Sequence, residues 1–254
     1  MSKFYIEKNN IFNNAIHICR DESRHIMKVL RYKIDDLITL FDSDGMTYEC
    51  IIKSYENEEI TAEIIEKIEN NNLETTKIVL AQAVLKSKKM DFVIQKSTEL
   101  GIARIIPFFS SRTIPKWSIP KCLDKAEHWR NIVKASVKQS GIRKMPSVDN
   151  ITSYDEIISS DLKMNKILLY EKERKVSFKE IIKTIIFPSD ILIMVGPEGG
   201  FTTEEVSKAK ESGFLTTGIG NLILRAETVP VTVLSILQYE AGNLGFDRCD
   251  DEMS

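Results

Sequence analysis

Two segments near the C-terminus combine an apolar run with glycines and charged side chains. Residues 191–195 are apolar and lead into the glycine-rich residues 196–200, while residues 219–228 carry Arg225 and Glu227. Ligands of open α/β sheets bind outside the carboxyl ends of the strands. Two such ends would form one pocket lined mostly by backbone, which favours a nucleotide-like cofactor. A strand–turn–helix corner without a ligand would explain the glycines equally well.

Neither segment has the spacing of an established phosphate-binding loop. A P-loop requires a lysine followed by serine or threonine after its glycines, and residues 196–200 are not followed by such a pair. Gly218 and Gly220 lack the third glycine of a dinucleotide fingerprint. The pocket therefore has to be specified by something other than a phosphate motif.

The first 70 or so residues are predicted to be rich in β-structure. Three strands are expected, at residues 35–41, 47–52 and 60–65. Residues 42–45 have the composition of a hairpin turn, and residues 21–30 are predicted to form a short helix. The polar run at residues 70–72 marks the predicted domain boundary.

Strands and helices alternate from residue 73 onwards, which predicts a parallel sheet. The strands are expected at residues 78–81, 103–108, 166–170 and 191–195, and in the stretch that ends at Ile219. Apolar spacing predicts a helix that ends at Gly101, a long helix from about residue 123 to 140 with Gly141 after it, and a last helix from near Thr228. Thr202 and Glu205 have capping-box spacing, so a further helix should begin there and end at Gly213.

The charge of the chain is unevenly distributed. Residues 73–150 carry a net charge of +9, whereas residues 1–72 carry −5 and residues 151–254 carry −6. Arg130, Lys134 and Lys138 recur every four residues and form a basic stripe on the long predicted helix. A basic middle can bind a polyanion such as RNA, although charged runs are also often no more than a solvated face.

Other features exclude several classes of site. The four cysteines are scattered without a Cys-x-x-Cys pair, and the three histidines lack metal-ligand spacing, so neither a disulfide framework nor a metal is expected. No apolar run is long enough to span a membrane, and the N-terminus lacks a signal-peptide core. We therefore expect a cytoplasmic protein without a membrane partner.

Five sequence blocks together resemble the RsmE family, a SPOUT-class group of RNA methyltransferases. The blocks lie at residues 25–31, 86–101, 129–141, 196–200 and 219–228. The resemblance implies S-adenosylmethionine-dependent methylation of uridine N3 in 16S ribosomal RNA of the small subunit, and a homodimer. The implied fold is α/β, with a PUA-like RNA-binding β-barrel at residues 1–72 and a SPOUT domain with a trefoil knot at residues 73–254, where the tail from about residue 245 is expected to be flexible.

The resemblance also implies roles for particular residues. Arg225 is the first candidate to stabilise the anion that uridine N3 forms when it loses its proton, and Glu198 and Glu227 are the acidic candidates for catalysis. The residues expected to bind the cofactor are Leu169, Tyr170, Val195, Gly196, Pro197, Glu198, Gly199, Ile219, Gly220, Ile223, Leu224, Arg225, Glu227 and Thr228. The residues expected to contact RNA are Arg24, His25, Arg31, Lys86, Lys88, Lys89, Arg112 and Arg143.

Two further expectations concern surfaces. Tyr170 or Phe201 would stack on the unstacked uridine, although an aromatic residue beside a strand more often belongs to the core. The apolar residues of the last helix would contribute to the dimer interface or, equally well, to the core: Val231, Leu234, Ile236 and Leu237.

The chain departs from the family pattern at Lys3, Ser111, Ile142 and Leu222, where relatives often carry arginine or glutamate. These departures weaken individual RNA contacts more than the cofactor site. Two alternatives stay open: a catalytically silent RNA-binding or ribosome-assembly protein with the same fold, and a SPOUT methyltransferase that acts on tRNA or another ribosomal RNA base.

Overall fold

The computed structural model describes residues 3–68, 76–86, 88–140, 142 and 144–244. The chain divides into two compact units, one formed by Met1–Asn72 with Lys134–Met145 and the other by Leu73–Val133 with Pro146–Ser254. The predicted boundary at residues 70–72 lies outside the described residues, as do Gly141 and the tail from residue 245. The predicted domain limits therefore stay a prediction.

The first unit is built on a six-stranded sheet. Its strands are β1 (Lys3–Tyr5), β2 (Ile11–Phe12), β3 (Ala15–Ile18), β4 (Leu37–Phe41), β5 (Thr47–Glu56) and β6 (Glu59–Ile68). Their order is β1-β4-β5-β6-β3-β2, and every pairing is antiparallel except that of β1 with β4. The three predicted strands are confirmed, and β5 and β6 extend beyond the predicted ends.

The predicted hairpin turn between β4 and β5 is held by one carboxylate. Asp42 Oδ1 accepts the backbone N–H groups of Asp44 and Met46, and Asp42 Oδ2 accepts the Tyr48 hydroxyl at 3.0 Å. Burial and this hydrogen bond to Asp42 raise the pKa of Tyr48 to about 12. Asp42 is itself buried, so the turn is fixed from inside the unit.

The predicted short helix is present in two parts. Helix α1 (Arg20–Arg24) continues directly into a wider π-helical turn at His25–Val29. The Arg24 side chain, which precedes this turn, does not cap it with a hydrogen bond. Ser23 attaches α1 to the sheet, because its hydroxyl donates to the Ile18 carbonyl and accepts the Ile60 N–H, both at 2.9 Å. Ile26 is fully buried, so the turn packs onto the core of the first unit.

The second unit is built on a seven-stranded parallel sheet. Its strands are β7 (Ile78–Ala83), β8 (Arg104–Phe109), β9 (Ser147–Val148), β10 (Thr152–Ser153), β11 (Asn165–Leu169), β12 (Ile191–Val195) and β13 (Leu215–Thr217). The order is β10-β8-β7-β12-β11-β13, with β9 paired to β8, and all pairings are parallel. The predicted parallel sheet is confirmed. All five residues of β12 are buried, as expected for a strand covered on both faces.

In the described parts of the chain, six helices follow or flank the strands of this sheet. They are α2 (Lys88–Glu99), α3 (Ile119–Ser140), α4 (Tyr154–Ile158), α5 (Phe178–Thr184), α6 (Thr203–Glu211) and α7 (Thr228–Glu240). The predicted capping box is present at Thr202 and Glu205, and Gly213 follows the end of α6 with a φ of +84°. Helix α3 begins earlier than the predicted residue 123.

The last helix packs back onto the end of α2. Gln238 Nε2 donates to the carbonyl oxygens of Leu100 at 2.7 Å and Gly101 at 3.0 Å. Leu234 and Leu237 are fully buried within the chain, so these two side chains belong to the core and are not available to a dimer partner. Val231 and Ile236 are only partly buried.

Candidate functional site

Three neighbouring strands end at the same level of the second sheet. In the order β12-β11-β13, Leu169 lies opposite both Val195 and Thr217, which are the last residues of the adjacent strands. The segments that follow the three strands therefore leave the same edge of the sheet side by side. This is the position at which open parallel sheets bind ligands.

A cleft opens between these three segments. Most of the residues predicted to bind a cofactor line this strand-end cleft: Leu169, Tyr170, Val195, Gly196, Pro197, Glu198, Gly199, Ile219, Gly220, Ile223 and Leu224. Arg225, Glu227 and Thr228 do not line it, although the neighbouring Ala226 and Val229 do. The lining is therefore mainly backbone and aliphatic side chains with few charges.

Glycines permit the close approach of backbone in the cleft. Gly200 has a φ of +66°, and a Cβ placed there would lie 2.7 Å from Glu171 Oε1. A Cβ on Gly218 would lie 2.5 Å from the carbonyl oxygen of Glu173, which is too close for any side chain. Gly218 thus requires glycine because the close atom belongs to the backbone, and Gly200 requires it because of its conformation.

Phe201 forms the base of the glycine-rich loop. Its side chain is 1% exposed and stacks on Phe108, with the two ring planes 6° apart, and it also contacts Tyr154. The expectation that Phe201 stacks on a uridine is therefore wrong, because both ring faces and edges are committed to the core. Tyr170 is partly buried and lines the cleft.

The glycine-rich loop is tied to the rest of the second unit from three sides. Gln82 Nε2 donates to the Gly196 carbonyl at 3.4 Å, and Arg112 Nη1 donates to the Gly199 carbonyl at 2.9 Å. Glu198 accepts the Lys86 backbone N–H at 3.2 Å. Arg112 was expected to contact RNA. In the structure its guanidinium binds this loop, and the RNA contact stays a prediction.

Lys89 lies between the two glutamates that were expected to act in catalysis. Its ammonium is 3.1 Å from Glu227 Oε2 and 3.8 Å from Glu198 Oε1. Glu227 Oε2 is buried and has no partner in hydrogen-bonding geometry, so the nearby ammonium is the group that compensates its charge. Lys89 was expected to contact RNA. In the structure it joins the glycine-rich loop to the start of α7, and the RNA contact stays a prediction.

The electrostatic environment keeps Glu227 ionised. Burial tends to raise the pKa of this carboxyl, but backbone hydrogen bonding and the charges of Lys89 and Arg225 outweigh burial and lower the pKa. A lowered pKa makes Glu227 a weaker general base. Its charge therefore serves better to orient the cations around it than to accept a proton.

Arg225 is exposed and is not among the residues that line the cleft, although Leu224 and Ala226 on either side of it are. Its carbonyl accepts the N–H groups of Thr228 and Val229, which starts α7. Arg225 thus directly follows Leu224, which lines the cleft, and its own side chain is exposed to solvent.

The other residues expected to bind RNA have varied positions. Arg24 pairs with Glu58, whereas His25, Arg31, Lys86 and Lys88 are exposed. Arg143 lies outside the described residues. The exposed side chains are available for phosphate contacts, and Arg24 is already neutralised.

The predicted basic stripe on α3 is largely neutralised within the chain. Arg130 donates to the Val148 carbonyl at 3.1 Å and to Asn150 at 2.8 Å. Lys134 pairs with Glu7 at 3.0 Å, and Lys138 pairs with Glu22. These three side chains therefore bind partners within the chain, and less of their charge is available to a polyanion.

Neither a metal site nor a membrane span is apparent in the described parts of the chain. No group of three or more histidine, cysteine or acidic side chains in these parts is arranged to hold a metal ion. None of the described helices is both long and apolar enough to cross a membrane.

Comparison with known proteins identifies the family. A family model for RNA methyltransferase domains matches residues 71–238, and one for the PUA domain of RNA methyltransferases matches residues 18–65. The Bacillus subtilis protein named ribosomal RNA small subunit methyltransferase E is 31% identical over 253 residues, covering 98% of this chain and 97% of that relative. The chain belongs to the RsmE family.

Solved structures related to this RsmE-family chain have the same fold. A Neisseria gonorrhoeae ribosomal RNA small subunit methyltransferase E bound to S-adenosylmethionine is 31% identical, with a TM-score of 0.79 and coverage of 94% of this chain and 97% of that one. A putative methyltransferase of Legionella pneumophila in complex with the same cofactor is 29% identical, with a TM-score of 0.79 and coverage of 93% and 96%. The predicted fold class, a PUA-like domain followed by a SPOUT domain, is confirmed. The trefoil knot stays a prediction.

Several residues that line the cleft of this RsmE-family chain were not among those predicted from the sequence to bind the cofactor. They are Glu171, Arg174, Gly200, Phe201, Thr217, Gly218, Leu222, Ala226 and Val229, of which Gly200 belongs to the predicted pocket segment and Phe201 was expected to stack on the uridine. Glu171 directly follows the predicted Tyr170 beyond the end of β11. The strand-end rule could therefore have found it if the whole segment had been included.

Proposed function

We propose that this chain is an S-adenosylmethionine-dependent methyltransferase that acts on uridine N3 of 16S ribosomal RNA. The observation that carries the proposal is the strand-end cleft, formed by three adjacent parallel strands in a chain of the RsmE family. Two related structures hold S-adenosylmethionine. The proposal includes a cytoplasmic location, which is where bacterial ribosomal RNA is modified.

The residues of the cleft fit this cofactor. Aliphatic side chains of Leu169, Ile219 and Leu224 suit a planar base, and the backbone of residues 196–200 offers hydrogen-bonding groups to it. The cleft also contains the carboxylates of Glu171 and Glu198, which suit a positively charged ligand. When bound, the cofactor would supply an electrophilic methyl group on a sulfonium.

The protein must assist the loss of a proton from uridine N3. The neutral base is a poor nucleophile there, and cationic groups or N–H donors beside O2 or O4 stabilise the anion. Arg225 is the proposed stabilising group, since it directly follows Leu224 of the cleft wall and carries its charge outward to where a base would enter. Glu227 is proposed to orient Arg225, because its lowered pKa keeps it charged.

Two segments form facing walls of the cleft, namely residues 196–200 and residues 219–224. Lys89 and Glu198 are proposed to set the distance between these two walls. The ammonium of Lys89 lies 3.8 Å from Glu198 of the glycine-rich loop and 3.1 Å from Glu227 at the start of α7. Such a bridge would keep Arg225 at a fixed place relative to the glycine-rich loop. Preorganised charges of this kind contribute much of the rate enhancement in polar reactions.

The RNA is proposed to approach across exposed basic side chains. Lys86 and Lys88 precede or begin α2 beside the cleft, while His25 and Arg31 belong to the first unit. The target uridine has to leave its stack to enter a pocket. The substrate is proposed to be the assembled small ribosomal subunit, and the protein is proposed to act as a homodimer.

Methyl transfer from labelled S-adenosylmethionine tests the proposal. Small ribosomal subunits that lack base methylation, naked 16S RNA and tRNA would be compared, followed by nucleoside analysis. Label in 3-methyluridine of the subunits is expected, with a loss of about 100-fold or more for Arg225→Ala, in line with the removal of a stabilising donor.

Other results would overturn parts of the proposal. Label in a different nucleoside would leave the methyltransferase activity but replace the substrate. Binding of S-adenosylmethionine without transfer to any RNA would identify a silent RNA-binding protein.

A further inference from the structure

Glu171 places a carboxylate in the strand-end cleft. It lies two residues beyond the end of β11 and lines the cleft together with Tyr170. Its Oε1 atom is so close to the glycine-rich loop that a Cβ on Gly200 would lie 2.7 Å from it. The carboxylate is therefore set directly against the loop that forms the opposite wall.

The charge of Glu171 is not compensated by the chain. Among the described residues, no hydrogen bond or ion pair involves its carboxylate, whereas the other acid of the cleft, Glu198, accepts the Lys86 N–H and faces Lys89. Arg174 is the one cationic side chain among the described lining residues, and its guanidinium donates to the Gly220 carbonyl at 3.4 Å. The Glu171 carboxylate is thus exposed within the cleft and open to a ligand.

Glu171 is also not needed to shape its own segment. Glu173 does that, because its carboxylate accepts the Lys175 N–H at 2.9 Å and the Thr216 hydroxyl at 3.3 Å. Lys210 lies 3.9 Å from the same carboxylate. A structural role is therefore assigned to Glu173, and the neighbouring acid is left for a ligand.

We propose that Glu171 pairs with a cationic group of S-adenosylmethionine, either the sulfonium or the α-ammonium. This inference rests on the proposed function, which supplies the cofactor. A carboxylate beside a fixed positive charge favours the charged ligand over a neutral one. If the partner is the sulfonium, the pair exists only before methyl transfer, because the product has a neutral thioether, and Glu171 then favours release of the product.

Calorimetric binding of three ligands to the full-length protein tests the inference. S-Adenosylmethionine carries both cations, S-adenosylhomocysteine keeps only the ammonium, and 5′-methylthioadenosine has neither. Glu171→Gln removes the charge at nearly constant volume. The matched control is Glu211→Gln, an exposed acid at the end of α6 that does not line the cleft.

The pattern of affinities decides both the inference and the identity of the cation. With Glu171→Gln, the affinity for S-adenosylmethionine is expected to fall about fivefold, as for a partly exposed ion pair. A sulfonium partner leaves the other two affinities unchanged. An ammonium partner also lowers the affinity for S-adenosylhomocysteine but not for 5′-methylthioadenosine. The control variant should match the wild-type protein throughout.

Two results separate the failure of this inference from that of the proposed function. The inference alone would be overturned if the wild-type protein binds S-adenosylmethionine and Glu171→Gln binds it equally well. The same holds if Glu171→Gln loses affinity equally for all three ligands. Failure of the wild-type protein to bind S-adenosylmethionine would overturn the proposed function and the inference with it.

Discussion

Residues 196–200 are tied to the second unit from several sides, whereas residues 219–224 on the facing wall of the cleft are held loosely. Gln82, Arg112 and the Lys86 N–H all reach the first segment. Among the described residues, the hydrogen bond that reaches the second segment from elsewhere is the 3.4 Å bond of Arg174 to the Gly220 carbonyl. Leu222 and Ile223 are each 80% exposed.

The two walls therefore differ in how far the fold orders them before a ligand binds. The first wall is preorganised by the fold and can hold a ligand without first being ordered. The second wall exposes large aliphatic side chains, which usually indicates a surface that a ligand or partner covers. Binding would therefore order the second wall more than the first, and the following changes test that contrast from the largest expected effect to the smallest.

Gly218→Ala should have the largest effect. The added Cβ would lie 2.5 Å from the Glu173 carbonyl, so backbone must move where the second wall leaves β13. We expect the free energy of unfolding to fall by about 2–3 kcal/mol and cofactor binding to be lost. Thermal or denaturant unfolding and calorimetry measure both.

The control for this change is Gly213→Ala, which has a φ of +84° but open space around the position. It should cost only about 1 kcal/mol and leave binding intact. Equal losses in the two variants would show that the backbone near Gly218 moves aside for a Cβ more easily than the 2.5 Å distance implies.

Lys89→Met removes the cation between the two walls. A buried carboxylate oxygen of Glu227 would lose its nearest positive charge, so the free energy of unfolding should fall by about 1–3 kcal/mol at pH 7. Lys88→Met is the matched control, since Lys88 is exposed and has no such partner in the described structure. An equal change in unfolding free energy for the two variants would show that the contact of Lys89 with Glu227 does not stabilise the fold.

The stability due to the Lys89–Glu227 pair should depend on pH. The pKa of Glu227 is lowered in the folded protein, so its charge stabilises the fold above its unfolded pKa of about 4.3, and this contribution is lost as pH falls through the folded pKa. The difference in unfolding free energy between the wild-type protein and Glu227→Gln should therefore be present at pH 7 and shrink below about pH 4. A difference that grew on acidification would contradict the lowered pKa.

Arg112→Met and Arg174→Met compare the ties of the two walls directly. Loss of the 2.9 Å bond to Gly199 should lower the affinity for S-adenosylmethionine about fivefold, corresponding to roughly 1 kcal/mol. Loss of the longer bond to Gly220 should lower the affinity less. The reverse ranking would show that the second wall is the better organised one.

Leu222→Ser should have the smallest effect on the free protein. Its side chain is 80% exposed, so unfolding without ligand should change by less than about 0.5 kcal/mol. The gain in melting temperature on addition of S-adenosylmethionine should be smaller than for the wild-type protein, because a covered aliphatic contact is missing. An unchanged gain would show that the cofactor does not cover this residue.

The sequence predicted what short-range patterns determine. The buried strand 191–195, the capping box at Thr202 and the place of the cleft at the strand ends all depend on neighbouring residues or on a general rule of parallel sheets. Side-chain partners across the fold were not predictable in this way. The Lys86 N–H and Glu198 are 112 residues apart, and Arg112 and Gly199 are 87 apart.

The same limit applies to the residues expected to contact RNA. Arg112 and Lys89 carry the charge expected of RNA contacts, but a charge in sequence does not show whether a carboxylate or carbonyl of the same chain lies beside it. The start of α7 near Thr228 was predicted, but the catalytic role of Arg225 stays a prediction.

The strand order has a consequence for the synthesis of the protein. Strand β7 pairs with β12, and Ile78 lies opposite Ile191. The centre of the second sheet can therefore form only after residue 191 and its neighbours have been synthesised. Contacts so distant along the chain form late in folding, and domains fold as units while the chain emerges from the ribosome. The cleft also needs β13, which follows β12 by only some twenty residues. A nascent chain therefore acquires a cofactor site only after β13 and the cleft residues up to Val229 have been made, and a product that terminates before them cannot compete for the cofactor.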